Sequence, residues 1–222
     1  IAGWEPAKGE GHLDTLRRSI VLASAGMYGN TDVLEEARLR FDKYLSDPAS
    51  LSPDLRSVVY ALAAHQGDEA IYNQLWSLER QTDLQEEKIR LLSALSRFKQ
   101  AEFLEETLRR SLTDQVRAQD AVSVIIMVAS NRYGHRLAWD FVKKNWSELD
   151  RRYGDGGFML MRLVGITGAF TSLKDASEVE DFFENHPAPA AKRTIQQSLE
   201  RIRLNARWLE LNSASLADQF ST

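Results

Sequence analysis

The sequence predicts an all-α fold of stacked antiparallel helix pairs. Apolar residues recur at helical spacing along nearly the whole chain, no segment shows a competing period-two alternation, and turn-forming residues interrupt the pattern every 11 to 20 residues or so. About twelve such segments with short connections imply pairs of roughly 35 to 40 residues. That period is the signature of a HEAT- or armadillo-like superhelical solenoid, whose extended surface favours binding or enclosure over catalysis.

In chain order, the first helix is expected near 11–25, with Glu10 and Asp14 flanking His12 as cap and dipole partners. A second follows near 31–46, and a third near 54–65 is announced by Ser52 and by Pro53 at the first helical position. Further helices fall near 68–80 and near 83–96, the latter with Thr82 and Gln85 in capping-box spacing. After a helix near 100–111, the segment 116–130 holds the longest apolar run, AVSVIIMVA, far short of the roughly 20 residues that span a bilayer.

Between 134 and 153 the apolar positions Trp139, Val142, Trp146, Leu149 and Tyr153 form one stripe of a single helix, so its aromatics are core anchors. Gly154 ends that helix, and Gly156 and Gly157 form a permissive turn before Phe158. The last helices are expected near 158–170, near 174–185 with Ser172 and Asp175 as a second box, near 190–210 and near 213–220. Pro48, Pro187 and Pro189 fall between helices, where the missing amide donor does no harm.

Composition removes several function classes. The 28 Lys and Arg against 32 Asp and Glu leave a net charge of −4, which offers no global attraction to nucleic acid or to an anionic membrane. Zero cysteines exclude disulfides and thiolate metal sites and fit a reducing compartment. The four histidines, His12, His65, His135 and His186, lie far apart in sequence, so no metal site is expected. No zinc-protease, phosphate-loop, dinucleotide or serine-hydrolase motif is present, and no catalytic residue is assigned. The acidic pairs Glu35/Glu36, Glu86/Glu87 and Glu105/Glu106 and the basic doublets Arg17/Arg18, Lys143/Lys144 and Arg151/Arg152 carry opposite charges nearby and read as solvated helix faces. The Asn145-Trp146-Ser147 glycosylation sequon lies mid-helix with its Trp on the buried stripe, and reads as coincidence.

Seven stretches occur together and in order: GWEPAKGEGHLDTLRR, LSPDLRSVVY, QEEKIRLLSAL, VRAQDAVSVI, AWDFVKKNW, FFENHPAP and RTIQQSLERIRLNARWL. In these stretches the chain resembles the C-terminal domain of the gluzincin zinc aminopeptidases, with the puromycin-sensitive branch nearest. The resemblance implies that 1–222 form one helical-repeat domain, cut from a longer polypeptide, that closes over an upstream catalytic domain. It places zinc, its ligands and the catalytic glutamate upstream, and makes that catalytic part and peptide substrates the partners, in the cytoplasm. A peptide C-terminal carboxylate would need a cation, and Arg56, Arg117 and Arg162 are the candidates, with intradomain ion pairs as the alternative for Arg56 and Arg117. Acidic-selective relatives carry an arginine where Phe158 aligns, so Phe158 implies no preference for acidic first residues. The alternative for Phe158 is the core face of the next helix. A free-standing helical scaffold is the competing reading of the whole.

Overall fold

The computed structural model describes residues 3–155 and 157–220. Among the described residues all regular structure is helical, in twelve α-helices and three short 3₁₀ turns. The chain divides into two compact units, 1–134 and 135–222.

The first unit contains α1 (His12–Met27), α2 (Thr31–Ser46), α3 (Pro53–His65), α4 (Glu69–Gln81), α5 (Gln85–Leu95), α6 (Ala101–Ser111) and α7 (Ala118–Ala129). Local chemistry sets most of the starts. The side chain of Asn30 accepts the Val33 N–H at 3.0 Å, and that of Asp68 accepts the Ile71 N–H at 3.1 Å, each filling a vacancy in a first turn. Pro53 stands at the head of α3, where no amide is needed. The expected box at Thr82 does not form: its Oγ1 accepts the Leu84 N–H at 3.2 Å, and α5 begins one residue later, with Leu84 as its cap. Near His12, Asp14 accepts the Gly11 N–H at 3.4 Å, whereas Glu10 turns away to pair with Arg18.

Packing follows an alternation. Helix α3 lies against α1, α2 and α5, and α5 continues the row to α7, while α4 and α6 pack on α5 and α7. One layer is therefore α1, α3, α5 and α7, the arrangement of a helical solenoid. Its core includes Phe41, Tyr60, Leu75, Trp76, Leu91 and Leu104, all fully or almost fully buried. The repeat is also written in polar clamps from one pair to the backbone of its neighbour. Gln100 Nε2 donates to the Gly67 carbonyl at 2.9 Å, and Asn131 Nδ2 donates to the Ser96 and Phe98 carbonyls at 2.9 and 2.6 Å. The bonded residues are 33 to 35 positions apart, the lower edge of the period expected from helix lengths.

The second unit contains α8 (His135–Lys144), α9 (Trp146–Tyr153), α10 (Phe158–Gly165), α11 (Leu173–Asn185) and α12 (Lys192–Phe220). The single helix expected over 134–153 breaks at Asn145, whose main-chain N–H and side-chain amide both donate to the Phe141 carbonyl, at 3.0 and 2.8 Å. The side-chain bond competes for the carbonyl that the helical N–H uses, and Asn145 takes φ −108° and ψ 17°. The apolar stripe survives the break: Trp139, Val142, Trp146 and Leu149 are buried, and Tyr153 is half-buried. Gly154 caps α9 and Gly157 takes φ 66°, as expected of the turn, while Gly156 lies outside the described residues.

The helix expected over 158–170 tightens into a 3₁₀ turn at Ile166–Ala169, beside α12. Ser172 caps α11, accepting the Asp175 N–H at 3.1 Å and donating its hydroxyl to that carboxylate at 2.6 Å, so only the cap half of the expected box is made. The two final helices merge into α12, because only Leu211 and Asn212 separate them and neither stops a helix as Gly or Pro would. Asn205 repeats the clamp of Asn131, donating to the Gly168 and Phe170 carbonyls at 3.3 and 3.0 Å.

Candidate functional site

The first turns of α3, α5 and α7 carry a row of charged side chains. Arg56 on α3 is half-buried, with one guanidinium nitrogen 3.6 Å from Glu87 and its plane over the Tyr44 ring at 5.4 Å. Glu87 on α5 is buried; it accepts the Tyr60 hydroxyl at 2.6 Å and pairs with Arg90 at 2.8 Å. Burial, with the Glu87 hydrogen bond second, drives the Tyr60 phenol far above its ordinary range, so it remains a donor. Arg117 caps the start of α7 and bonds Asp120 at 2.8 Å, and Asp120 also accepts from Gln85 on α5 at 2.9 Å. The first turn of α5 thus touches the partners of both arginines, and the intradomain alternative describes the geometry of Arg56 and Arg117.

This row corrects the reading of the charge pairs as solvated faces. Glu87 is enclosed because three donors converge on it. Arg18 is buried as well: its guanidinium donates to the Gly3 and Glu5 carbonyls and the Glu10 carboxylate, so it pins the segment before α1. A guanidinium tolerates burial when its planar donors are this fully matched. The other doublets are half-buried or exposed, with Glu148 shared by Arg151 and Arg152 and Glu178 by Lys143 and Arg136.

In the second unit, Phe158 and Arg162 stand one turn apart on α10. Phe158 is 63% exposed at the head of the helix, so it is not a core residue. Arg162 is half-buried with a nitrogen 3.8 Å from the Met159 sulfur.

The opposite ends of the first unit's odd-numbered helices form a second feature that motif reading misses. Just past the C-terminal ends of α1, α3, α5 and α7, a basin of about 640 Å³ is lined by Tyr28, His65, Arg97, Lys99, Arg132 and Tyr133 among others, and no Asp or Glu lines it. Arg97, Lys99 and Arg132 are exposed and make no ion pair among the described residues, while Tyr28 and Tyr133 present exposed rings. The Arg132 guanidinium lies 5.1 Å over the Tyr133 ring. Burial and the charges of Lys99 and Arg97 push the His65 imidazole below its ordinary range. Chemically this is a site for an anion with an apolar neighbour. Arg97 and Arg132 follow Ser96 and Asn131, which the fold joins by a hydrogen bond.

Among the described residues no three histidine or acidic side chains are grouped to hold a metal. The described residues therefore do not fit a zinc ion. Nor is any helix among the described residues long and apolar enough to cross a membrane.

Helix pairs repeated in register, with charged side chains gathered at both ends of one layer, define the class: an α-helical repeat domain built to offer surfaces for binding. The chain belongs to the ERAP1-like C-terminal domain family, whose profile matches residues 1–204. Aminopeptidase M1 of Arabidopsis thaliana is 35% identical over 214 residues, covering 94% of this chain and 24% of the relative. Aminopeptidase M1-B of Oryza sativa subsp. japonica is 32% identical over 213 residues, with the same coverage of 94% and 24%. Aminopeptidase N of Bos taurus is 32% identical over 193 residues, covering 84% of this chain and 20% of the relative. The chain spans about a quarter of the length of the curated relatives it matches.

Proposed function

We propose that this chain is the peptide-enclosing C-terminal domain of a cytoplasmic zinc aminopeptidase, in which zinc and the bond-breaking groups belong to another part of the polypeptide. The domain holds the body and tail of a peptide while the amino-terminal residue is removed elsewhere. Family membership supports the class, and one observation supports the role: the basin at Arg97, Lys99 and Arg132 offers cations with no carboxylate partner among the described residues.

A peptide tail ends in a carboxylate, and a guanidinium meets a carboxylate with two parallel charge-assisted hydrogen bonds. Arg56 and Arg117 already stand beside Glu87 and Asp120, at 3.6 and 2.8 Å, so recruiting either would draw a cation away from a carboxylate that the fold shields. The basin cations carry no such penalty. Tyr28 and Tyr133 would receive the apolar side chain of the last residue. Arg162 remains a further candidate for the peptide C-terminal carboxylate, and exposed Phe158 is consistent with neutral, apolar or basic rather than acidic first residues.

Isothermal titration of the chain with an N-acetylated nonapeptide, as free acid and as C-terminal amide, tests the role. The free acid should bind at least about tenfold more tightly, as expected for a charge-assisted pair, and Arg97→Ala should remove that difference. Equal affinity for acid and amide would reject the basin as the tail site.

A further inference from the structure

We propose that His65 is a conditional fourth cation of this basin, so that the capture of a carboxylate there strengthens as the pH falls. The inference rests on the reading of the basin as a carboxylate site and adds its regulation.

His65 is the last residue of α3, half-buried, and it lines the same basin as Arg97 and Lys99, which follow α5, and Arg132, which follows α7. The titratable groups facing the basin are therefore these three cations, His65 itself, Tyr28 beyond α1 and Tyr133 beyond α7. No carboxylate among the lining residues offsets the positive charge. A neutral imidazole is the favoured form in such a setting, because burial and two neighbouring cations oppose protonation.

A bound carboxylate reverses that balance. It supplies the missing negative charge, and an imidazolium then gains a partner where it previously met only repulsion. Binding and protonation are thus linked: anion binding takes up a proton, and by reciprocity a lower pH tightens the anion. The sign is fixed by the direction of the shift. His65 is neutral in the free basin above its lowered pKa, its pKa rises when the anion binds, and affinity climbs as pH falls through the interval between the two values.

The cations also lie near helix C-termini, whose partial negative charge they offset. That structural role does not depend on an added carboxylate and does not change its affinity with pH through His65.

The experiment titrates the full chain with the N-acetylated free-acid nonapeptide between pH 8 and pH 5.5, where the peptide carboxylate stays ionised. The wild type should bind about fivefold more tightly at the lower pH, the effect of one added charge at several ångströms in a solvated site. Proton uptake on binding should appear as a difference in heat between buffers of unlike ionisation enthalpy. His65→Gln should lose both the slope and the proton uptake, with His65→Asn as a second variant should glutamine disturb the helix end. A wild-type affinity that does not vary with pH, or a slope that survives in both variants, overturns the role of His65 while leaving the basin in place. Equal binding of free acid and amide at every pH rejects the basin itself, and the conditional cation with it.

Discussion

Tyr60 donates its hydroxyl to Glu87 at 2.6 Å, a buried hydrogen bond that joins α3 to α5. Arg90 and Arg56 complete the surroundings of the carboxylate at 2.8 and 3.6 Å. Removing the hydroxyl leaves Glu87 with its cations, so Tyr60→Phe should cost about 1–2 kcal/mol. Removing the carboxylate leaves half-buried guanidinium groups facing an apolar gap, and Glu87→Ala should cost roughly 3 kcal/mol or more. Urea unfolding followed by circular dichroism at pH 7 checks the order, and a larger effect of the tyrosine change would show that the cations do not depend on Glu87.

Trp146 is buried between Phe182 and Phe183, with ring centroids at 5.5 and 5.4 Å. Alanine there leaves a void in an aromatic cluster that the surrounding rings cannot fill, and the second unit should lose about 3–5 kcal/mol. The same unfolding measurement decides it. A change near zero would mark the stripe as a surface instead of a core.

Asn131 ties the end of α7 to the carbonyls of Ser96 and Phe98. Asn131→Ala should destabilise the first unit by about 1–3 kcal/mol, because two carbonyls lose their donor. Asn131→Asp should be worse at pH 7, since a carboxylate would face the same carbonyl oxygens, and it should recover as the pH falls below about 4. Thermal unfolding of the two variants at pH 7 and pH 3.5 separates loss of a donor from repulsion. An aspartate variant no less stable than alanine at pH 7 would show that the side chain is free to swing away.

Glu106 accepts from Arg109 and Arg110, and the hydrogen bond from Arg109, ahead of the contribution of Arg110, brings its carboxyl down to about 2. A lowered folded-state value contributes stability that is present above the unfolded value near 4.5 and is lost as pH falls toward 2. The group is partly exposed, so the contribution is modest, about 0.5–1 kcal/mol. Glu106→Gln should therefore be less stable than wild type at pH 6 and converge with it near pH 2. A gap that persists at pH 2 would point to packing of the Arg110 guanidinium on Trp76, 4.8 Å away, as the real contribution.

The clearest reading from sequence was of helices whose apolar stripe and start chemistry agreed. Trp139, Val142, Trp146 and Leu149 are legible as core from spacing alone, and Ser172 caps its helix as its position predicts, though Asp175 bonds the serine hydroxyl instead of closing the box. Start signals failed where two local bonds compete, as at Thr82, where a two-residue turn displaces the box. Asn145 was invisible as a break because its effect depends on which carbonyl its amide finds, and the apolar spacing continues through it. Of the site residues, Arg56 and Arg117 are legible as cations within apolar motifs, and the structure pairs each with a carboxylate of its own unit. The basin cations are not legible in sequence, since Arg97, Lys99 and Arg132 lie in separate loops that only the repeat brings together.

By itself the sequence determined the helical class, the approximate repeat, the family likeness and the lack of recognised catalytic motifs, because each depends on residue type and near-neighbour spacing. Tertiary structure alone decided which charges are buried and which stay open. Glu86 and Glu87 are adjacent carboxylates, yet one is exposed and the other enclosed by a tyrosine and two arginines. The difference arises from a neighbour 27 residues away, and the charge state, burial and partners of a side chain are properties of whatever the fold places around it.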